Sequence, residues 1–122
     1  MKHILIIDDD PIILKVLGAR LQQEGYEMLY AHDGNEGLKL AQEAKPDLVM
    51  TDYRMPNMGG LAMVGRMKMA EDTKNIPILM LTSEDFNPEA LDALAKLGVN
   101  QYVHKSAAYT DILAAVKKIL AE

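Results

Sequence analysis

The chain has 122 residues, enough for one domain with a sizeable core, and it contains no cysteine for disulfides or thiolate metal sites. Hydrophobic residues make up 49% of the sequence and charged residues 25%, a balance typical of a globular domain in water. The formal net charge of -5 argues against nucleic-acid binding by this chain, because phosphate backbones select basic surfaces.

The first predicted strand covers about residues 4–7 and follows the N-terminal Met-Lys-His. This apolar run is too short for a signal peptide or a membrane span, which favours a cytoplasmic location without membrane contact. Asp10 and Pro11 fit the N-cap and first position of a helix that Gly25 ends. Four apolar residues of this helix are expected to face the sheet: Ile13, Val16, Leu17 and Leu21.

Strands and helices alternate along the rest of the chain. The other strands are predicted at about residues 28–31, 48–52, 78–82 and 101–104, and the other helices at about residues 34–45, 61–68, 88–97 and 109–120. This alternation is the signature of βα units and a parallel sheet. The first, third and fourth strands are apolar on both faces, as central strands of a parallel sheet are. The predicted fold class is therefore α/β, with five βα units.

Polar side chains follow four of the predicted strands. Asp8 and Asp9 come after the first strand, and Asp52, Thr82 and Lys105 end or follow the third, fourth and fifth. Parallel strands place their carboxyl ends along one edge of the sheet, so these groups should meet there. Carboxylates gathered at ~5 Å repel each other by about 3 kcal/mol per pair. The carboxylate cluster therefore predicts a bound metal ion, and the Thr82 hydroxyl and the Lys105 ammonium are available to bind an anion.

Five segments in this order and spacing resemble the response regulator receiver domain of two-component systems, over essentially the whole chain. They are residues 5–10 (LIIDDD), 46–52 (PDLVMTD), 55–60 (MPNMGG), 76–83 (IPILMLTS) and 98–105 (GVNQYVHK). The resemblance implies one receiver domain over residues 1–122. It also implies a doubly wound, flavodoxin-like sheet of five parallel strands in the order 2-1-3-4-5.

The same resemblance assigns roles to the polar cluster. Asp52 matches the aspartate that accepts the phosphoryl group, since a carboxylate is a competent nucleophile once its charge is offset. Asp8 and Asp9 match the acidic pair that binds Mg2+, with Asp9 binding directly and Asp8 through water. Asp52 and the backbone carbonyl of Arg54 would complete the protein ligands. Asp10 is interpreted mainly as the helix cap.

Two further residues match groups that contact the phosphoryl group, and a third matches a switch. Thr82 corresponds to the hydroxyl residue and Lys105 to the cation that pairs with the phosphoryl oxygens. Tyr102 corresponds to the switch aromatic, which packs inward when the hydroxyl residue moves toward the phosphoryl group. A tyrosine that simply packs its ring and hydrates its hydroxyl is the alternative.

The phosphoryl donor is expected on another protein. None of the three histidines, His3, His32 and His104, lies in a pattern typical of a phosphohistidine or a metal ligand. The resemblance therefore implies a sensor histidine kinase or a histidine phosphotransfer protein as donor, and a downstream protein as target. Output by protein contact is expected if the chain ends at Glu122. The alternative is that the sequence was cut from a longer protein.

The residue after Lys105 departs from the family. Receivers usually have proline there, preceded by a cis peptide bond, whereas this chain has Ser106. A cis bond before a residue other than proline costs ~3 kcal/mol. The Lys105–Ser106 bond is therefore either trans, in a rebuilt loop, or cis under strain.

The first helix also suggests a docking surface. If its predicted inner face is correct, Leu14, Lys15 and Gly18 face outward. An outward leucine beside a glycine, which costs ~1 kcal/mol in mid-helix relative to alanine, suggests that a partner helix approaches closely. In the family this helix contacts the kinase. An incidental exposed leucine is the alternative.

Arg54 and Glu84 are predicted to affect how long the phosphoryl group stays on Asp52. Each lies two residues after a site residue, Asp52 and Thr82 respectively, at positions that flank the path of water in the family. Their opposite charges predict a salt bridge that holds the guanidinium over the phosphoryl group and slows dephosphorylation. Two independently solvated side chains are the alternative.

Three other functions fit parts of the pattern. The Asp8-Asp9-Asp10 run also matches haloacid-dehalogenase-type phosphatases, with Asp8 as nucleophile and Asp10 as acid/base, but these usually have a longer chain. A flavodoxin-like FMN carrier shares the architecture, but three aspartates would repel its phosphate. A receiver-like interaction module that is never phosphorylated remains as the third alternative.

Overall fold

A computed structural model describes residues 1–55, 57–82 and 88–121. Pro56 and Ser83 of the matching segments lie outside these ranges, and so do Glu84 and Glu122. The described elements are β1 (His3–Ile7), α1 (Pro11–Gln23), β2 (Glu27–Ala31), α2 (Gly34–Ala44), β3 (Leu48–Asp52), α3 (Gly60–Met69), β4 (Ile78–Thr82), α4 (Pro88–Lys96), β5 (Tyr102–His104) and α5 (Tyr109–Leu120). Among the described helices, none combines the length and the apolar character that crossing a membrane requires.

The strands form one parallel sheet in the order β2-β1-β3-β4-β5. This confirms the predicted fold class and strand order. Helices cover both faces of the sheet, so alternate residues of the central strands enter two separate cores. Ile4 and Ile6 of β1 pack in the core with α1 and α5, while Leu5 and Ile7 pack in the core with α2, α3 and α4. All strand ends that carry the polar groups therefore lie along one edge.

The N-terminus of α1 is built as predicted. The Asp10 carboxylate accepts a hydrogen bond from the backbone N–H of Ile12 over 2.9 Å, and Pro11 is the first helical residue. After the helix ends, Gly25 takes a left-handed φ of +99° that turns the chain into β2. The side chain of Asp10 is therefore used to cap the helix.

The predicted inner face of α1 is only partly correct: Leu17 and Leu21 are buried as predicted, but Val16 is not. The buried residues are Leu14, Leu17, Gly18 and Leu21, which form an i, i+3, i+4, i+7 stripe. Val16 is 56% exposed, and Ile12 is 68% exposed. The three consecutive apolar residues 12–14 are compatible with two helix faces, and the prediction placed Leu14 on the wrong one. Gly18 distinguishes the two faces, because it lies on the inner face, where a Cβ would collide with the Tyr30 ring of β2.

Candidate functional site

Three carboxylates converge at the carboxyl edge of β1 and β3. Oxygen atoms of Asp8, Asp9 and Asp52 all lie within 4.8 Å of one another. Asp8 is fully buried, Asp52 is 6% exposed, and Asp9 is open to solvent. The structure thus brings the predicted acidic residues together, with one carboxylate of the cluster accessible from outside.

Lys105 reaches into this cluster from the loop after β5. Its Nζ lies 2.7 Å from Asp8 Oδ2 and 3.0 Å from Asp52 Oδ2. Its backbone N–H donates to the carbonyl of Thr82 over 2.7 Å, which joins this loop to the end of β4. The ammonium therefore bridges the two buried carboxylates.

For both Asp8 and Lys105, burial disfavours the charged form of the side chain, whereas the contact between them favours it. Burial raises the pKa of the Asp8 carboxyl, and the Lys105 ammonium and the Asp10 N–H only partly offset it. Burial lowers the pKa of Lys105, but its contacts with Asp8 and Asp52 outweigh that effect, so the pKa is raised overall. The charged form of Lys105 is therefore stabilised, whereas burial destabilises the ionised form of Asp8.

The carboxylate cluster fits a hard divalent cation. Asp8 Oδ2 is buried, and the contact described for it is the Lys105 ammonium at 2.7 Å. Three carboxylates outnumber the one ammonium that reaches them. Mg2+ prefers oxygen ligands of this kind and usually keeps several waters. The exposed carboxylate of Asp9 leaves room for those waters.

Thr82 and Tyr102 lie on the two strands beside the cluster. Thr82 is buried at the end of β4, where it pairs in register with His104 of β5. The Tyr102 side chain is 48% exposed, so its ring is not packed inward in this structure. Arg54 is also exposed. Because Glu84 lies outside the described residues, the lifetime roles of Arg54 and Glu84 stay predictions.

The loop after Lys105 shows which peptide conformation the chain adopts where Ser106 replaces the proline usual in receivers. The Lys105–Ser106 peptide bond is trans. Ser106 N–H donates to Nδ1 of His104 over 3.1 Å, and Ser106 Oγ lies 2.7 Å from the same nitrogen. The Ala107 N–H donates to the carbonyl of His104, closing a turn. This role of His104 is not predictable from periodicity or motif, since its signal in the sequence is a serine two residues after a histidine.

A family model described as "Response regulator receiver domain" matches residues 4–117. The chain belongs to the response regulator receiver family. This places the chain among the regulatory phosphoacceptor domains of two-component systems. The assignment argues against the phosphatase and FMN-carrier alternatives.

Relatives of this receiver include both short and longer proteins. It is 30% identical to Protein PilH of Pseudomonas aeruginosa over 121 residues, covering 99% of each chain. It is 34% identical to the uncharacterized transcriptional regulatory protein YkoG of Bacillus subtilis over 118 residues, covering 97% of this chain and 50% of that protein. The chain thus spans about half the length or less of several curated relatives it matches.

Solved structures show the same receiver fold. The chemotaxis response regulator CheY4 of Vibrio cholerae matches with a TM-score of 0.89 and 33% identity, over 98% of each chain. A CheY-like receiver domain protein from Methanospirillum hungatei matches with a TM-score of 0.92 and 27% identity, over 99% of this chain and 94% of that one. The acidic edge of this receiver therefore lies on a scaffold shared with chemotaxis regulators.

Proposed function

We propose that this receiver accepts a phosphoryl group on Asp52 from a phosphohistidine of a partner protein, in a Mg2+-dependent step. The partner is a sensor histidine kinase or a histidine phosphotransfer protein, and the modified receiver then signals to a downstream protein in the cytoplasm. The observation that carries this proposal is the Lys105 ammonium, which lies between Asp8 and Asp52 at the edge of the carboxylate cluster.

The chemistry is the exchange of one phosphorus bond for another. An Asp52 carboxylate oxygen attacks the phosphorus, the bond from phosphorus to the imidazole nitrogen of the partner breaks, and its electron pair returns to that nitrogen. The product is an acyl phosphate. Asp8, Asp9, Asp52 and the Arg54 carbonyl would hold Mg2+, which supplies positive charge to the phosphoryl oxygens when bound. Lys105 and the Thr82 hydroxyl bind phosphoryl oxygens from the β4 and β5 side.

The modification adds about two negative charges next to these groups. Lys105 then turns from the carboxylates toward the phosphoryl oxygens, and Thr82 moves in to donate its hydroxyl. Space vacated behind Thr82 accepts the ring of Tyr102, which is half exposed before the modification. The outer surface of β5 changes as a result, and the downstream protein recognises the modified receiver by binding this changed surface.

Incubation with acetyl phosphate tests the proposed function directly. With Mg2+ present, the intact mass should rise by one phosphoryl group, and chelation of Mg2+ should prevent the rise. Hydroxylamine should remove the group, because it cleaves acyl phosphates and leaves phosphate esters of serine or threonine in place. A protein that binds Mg2+ and stays unmodified would instead be the interaction module that is never phosphorylated.

The corrected orientation of α1 changes the proposed docking surface. Ile12 and Val16, and not Leu14 and Gly18, present apolar side chains to solvent. Val16 also lines a groove of about 200 Å³ between α1 and α5, where the guanidinium of Arg20 lies 3.9 Å from the centre of the Tyr109 ring. An apolar helix face beside the acidic edge suits the histidine-bearing helix of a donor. Gly18 cannot serve as a test position, since a side chain there meets Tyr30.

Val16→Asp should slow phosphoryl transfer from a donor protein that modifies the wild type, by about tenfold or more, since burying an unpaired charge costs more than ~1.4 kcal/mol. Its rate with acetyl phosphate should stay at the wild-type level, because that small donor needs no docking surface. Met69→Asp is the matched control, as Met69 is exposed on α3. Equal slowing by the Met69 variant would show a general charge effect and contradict docking on α1.

A further inference from the structure

The loop that leads from β3 to α3 starts directly after Asp52 and contains Arg54, whose carbonyl is a proposed Mg2+ ligand. The N-cap of α3 is Gly59, which has no side chain to hold the start of the helix. The Gly60 N–H donates to the Tyr53 carbonyl over 2.8 Å and closes the base of the loop. Among the described residues of the loop, Asn57 and Met58 contact another element.

Those contacts come from the N-terminus of α2. Asn57 Nδ2 donates to Asp33 Oδ2 over 2.9 Å, and the Gly34 N–H donates to the Met58 carbonyl over 3.1 Å. Gly34 packs so closely on the Met58 carbonyl that a Cβ would collide with it. Two consecutive residues of the loop are therefore attached to the N-cap and the first residue of α2.

Asp33 uses its two carboxylate oxygens for different purposes. Oδ1 accepts from the Glu36 N–H over 2.9 Å and caps α2, while Oδ2 holds Asn57. The Glu36 N–H and, next, the Asn57 amide lower the pKa of Asp33. The carboxylate is thus ionised at neutral pH, with one oxygen available to each element.

Asn57 is suited to its position in two ways. Its φ is +68°, in the left-handed region where asparagine and aspartate are tolerated far better than other residues with a side chain. Its side-chain amide supplies the donor that the Asp33 carboxylate needs. The conformation and the hydrogen bond can therefore be tested separately.

We propose that Asp33 and Asn57 are positioning residues for the Mg2+ and phosphoryl site. Their hydrogen bond attaches Asn57, three residues after Arg54, to the N-terminus of α2, and this attachment positions the Arg54 carbonyl when Mg2+ binds. The inference rests on the proposed function and deepens it: it makes the α2 N-terminus part of the support of the metal site, although neither side chain is placed among the Mg2+ ligands.

The test separates the hydrogen bond from the cap and from the backbone conformation. Asp33→Ser keeps a hydroxyl oxygen that caps α2, but its side chain is too short to reach the Asn57 amide. Asn57→Gly keeps the left-handed backbone and removes the donor. Both variants should bind Mg2+ about tenfold more weakly in calorimetry on the unphosphorylated protein, the lower end of the loss seen when a supporting partner of a metal ligand is removed. At saturating Mg2+, the acetyl phosphate rate should recover most of its wild-type value.

The double variant Asp33→Asn/Asn57→Asp is the decisive control. It restores the hydrogen bond with donor and acceptor exchanged, keeps an oxygen for the cap, and has the net charge of the wild type. It should bind Mg2+ close to the wild-type affinity. Wild-type Mg2+ affinity in both single variants, or no recovery in the double variant, would overturn the inference. Because the Mg2+ affinities are measured without a phosphoryl donor, they are independent of whether Asp52 is phosphorylated, which the mass experiment decides.

Discussion

Asp52→Asn should abolish the gain of one phosphoryl group from acetyl phosphate, even at high Mg2+. The neutral amide keeps the size of the carboxylate but is a far weaker nucleophile, so no acyl phosphate forms. The substitution also removes one carboxylate from the cluster whose oxygens lie within 4.8 Å of one another, which weakens Mg2+ binding. Intact mass spectrometry of wild type and variant, sampled over the same time course, measures the effect.

Asp10→Asn is the matched control for this experiment. Asp10 is adjacent to the acidic pair, but its carboxylate caps α1, and asparagine caps about as well as aspartate. The control should be phosphorylated at a rate close to that of the wild type. Labelling of the Asp52 variant at the wild-type rate would remove Asp52 as the acceptor, and peptide mapping would then locate the modified residue.

Asp8→Asn should stabilise the protein without Mg2+ and remove most of the stabilisation that Mg2+ provides. The raised pKa of Asp8 means that folding favours its protonated form, so the free energy of unfolding decreases as pH rises through that pKa. Asparagine is neutral and removes this decrease. The wild type should gain about 2.7 kcal/mol at a Mg2+ concentration of about 100 times Kd, and the variant far less.

Thermal unfolding at several pH values, with and without Mg2+, measures both effects. In the absence of Mg2+ the melting temperature of the Asp8 variant should exceed that of the wild type at neutral pH, and the difference should shrink as the medium is acidified. Asp72→Asn on the exposed surface is the control for the loss of one charge. A variant that melts below the wild type at neutral pH, while still gaining the full Mg2+ stabilisation, would show that Asp8 is a structural partner of Lys105 and not a metal ligand.

The sequence was sufficient to predict the sheet and the groups that meet at its edge. Parallel strands align their carboxyl ends, so a residue at the end of β1, such as Asp8, is placed near Asp52 of β3 by topology alone. The apolar runs of β1, β3 and β4 marked these strands as central without reference to any contact between side chains. The prediction failed on α1, where adjacent apolar residues at 12–14 made the inner face ambiguous.

Side-chain contacts between separate loops could not be predicted from the sequence. The Asp33–Asn57 hydrogen bond joins residues 24 positions apart, and neither residue lies in a periodic pattern. His104 accepts a hydrogen bond from Ser106 in a loop whose Lys105–Ser106 peptide bond is trans, one of the two alternatives that the sequence left open. Such contacts depend on how two turns approach each other, which neither propensity nor hydrophobic periodicity encodes.

The hydrogen bond from the Lys105 N–H to the Thr82 carbonyl has a mechanical consequence. It ties the backbone of the cation to the backbone of the hydroxyl residue, so neither strand end shifts without pulling on the other. Displacement of Thr82 is thereby transmitted to the turn that His104 and Ser106 close. Under the proposed function, a shift of Thr82 toward a phosphoryl group on Asp52 would therefore also move the backbone that leads from β5 into α5.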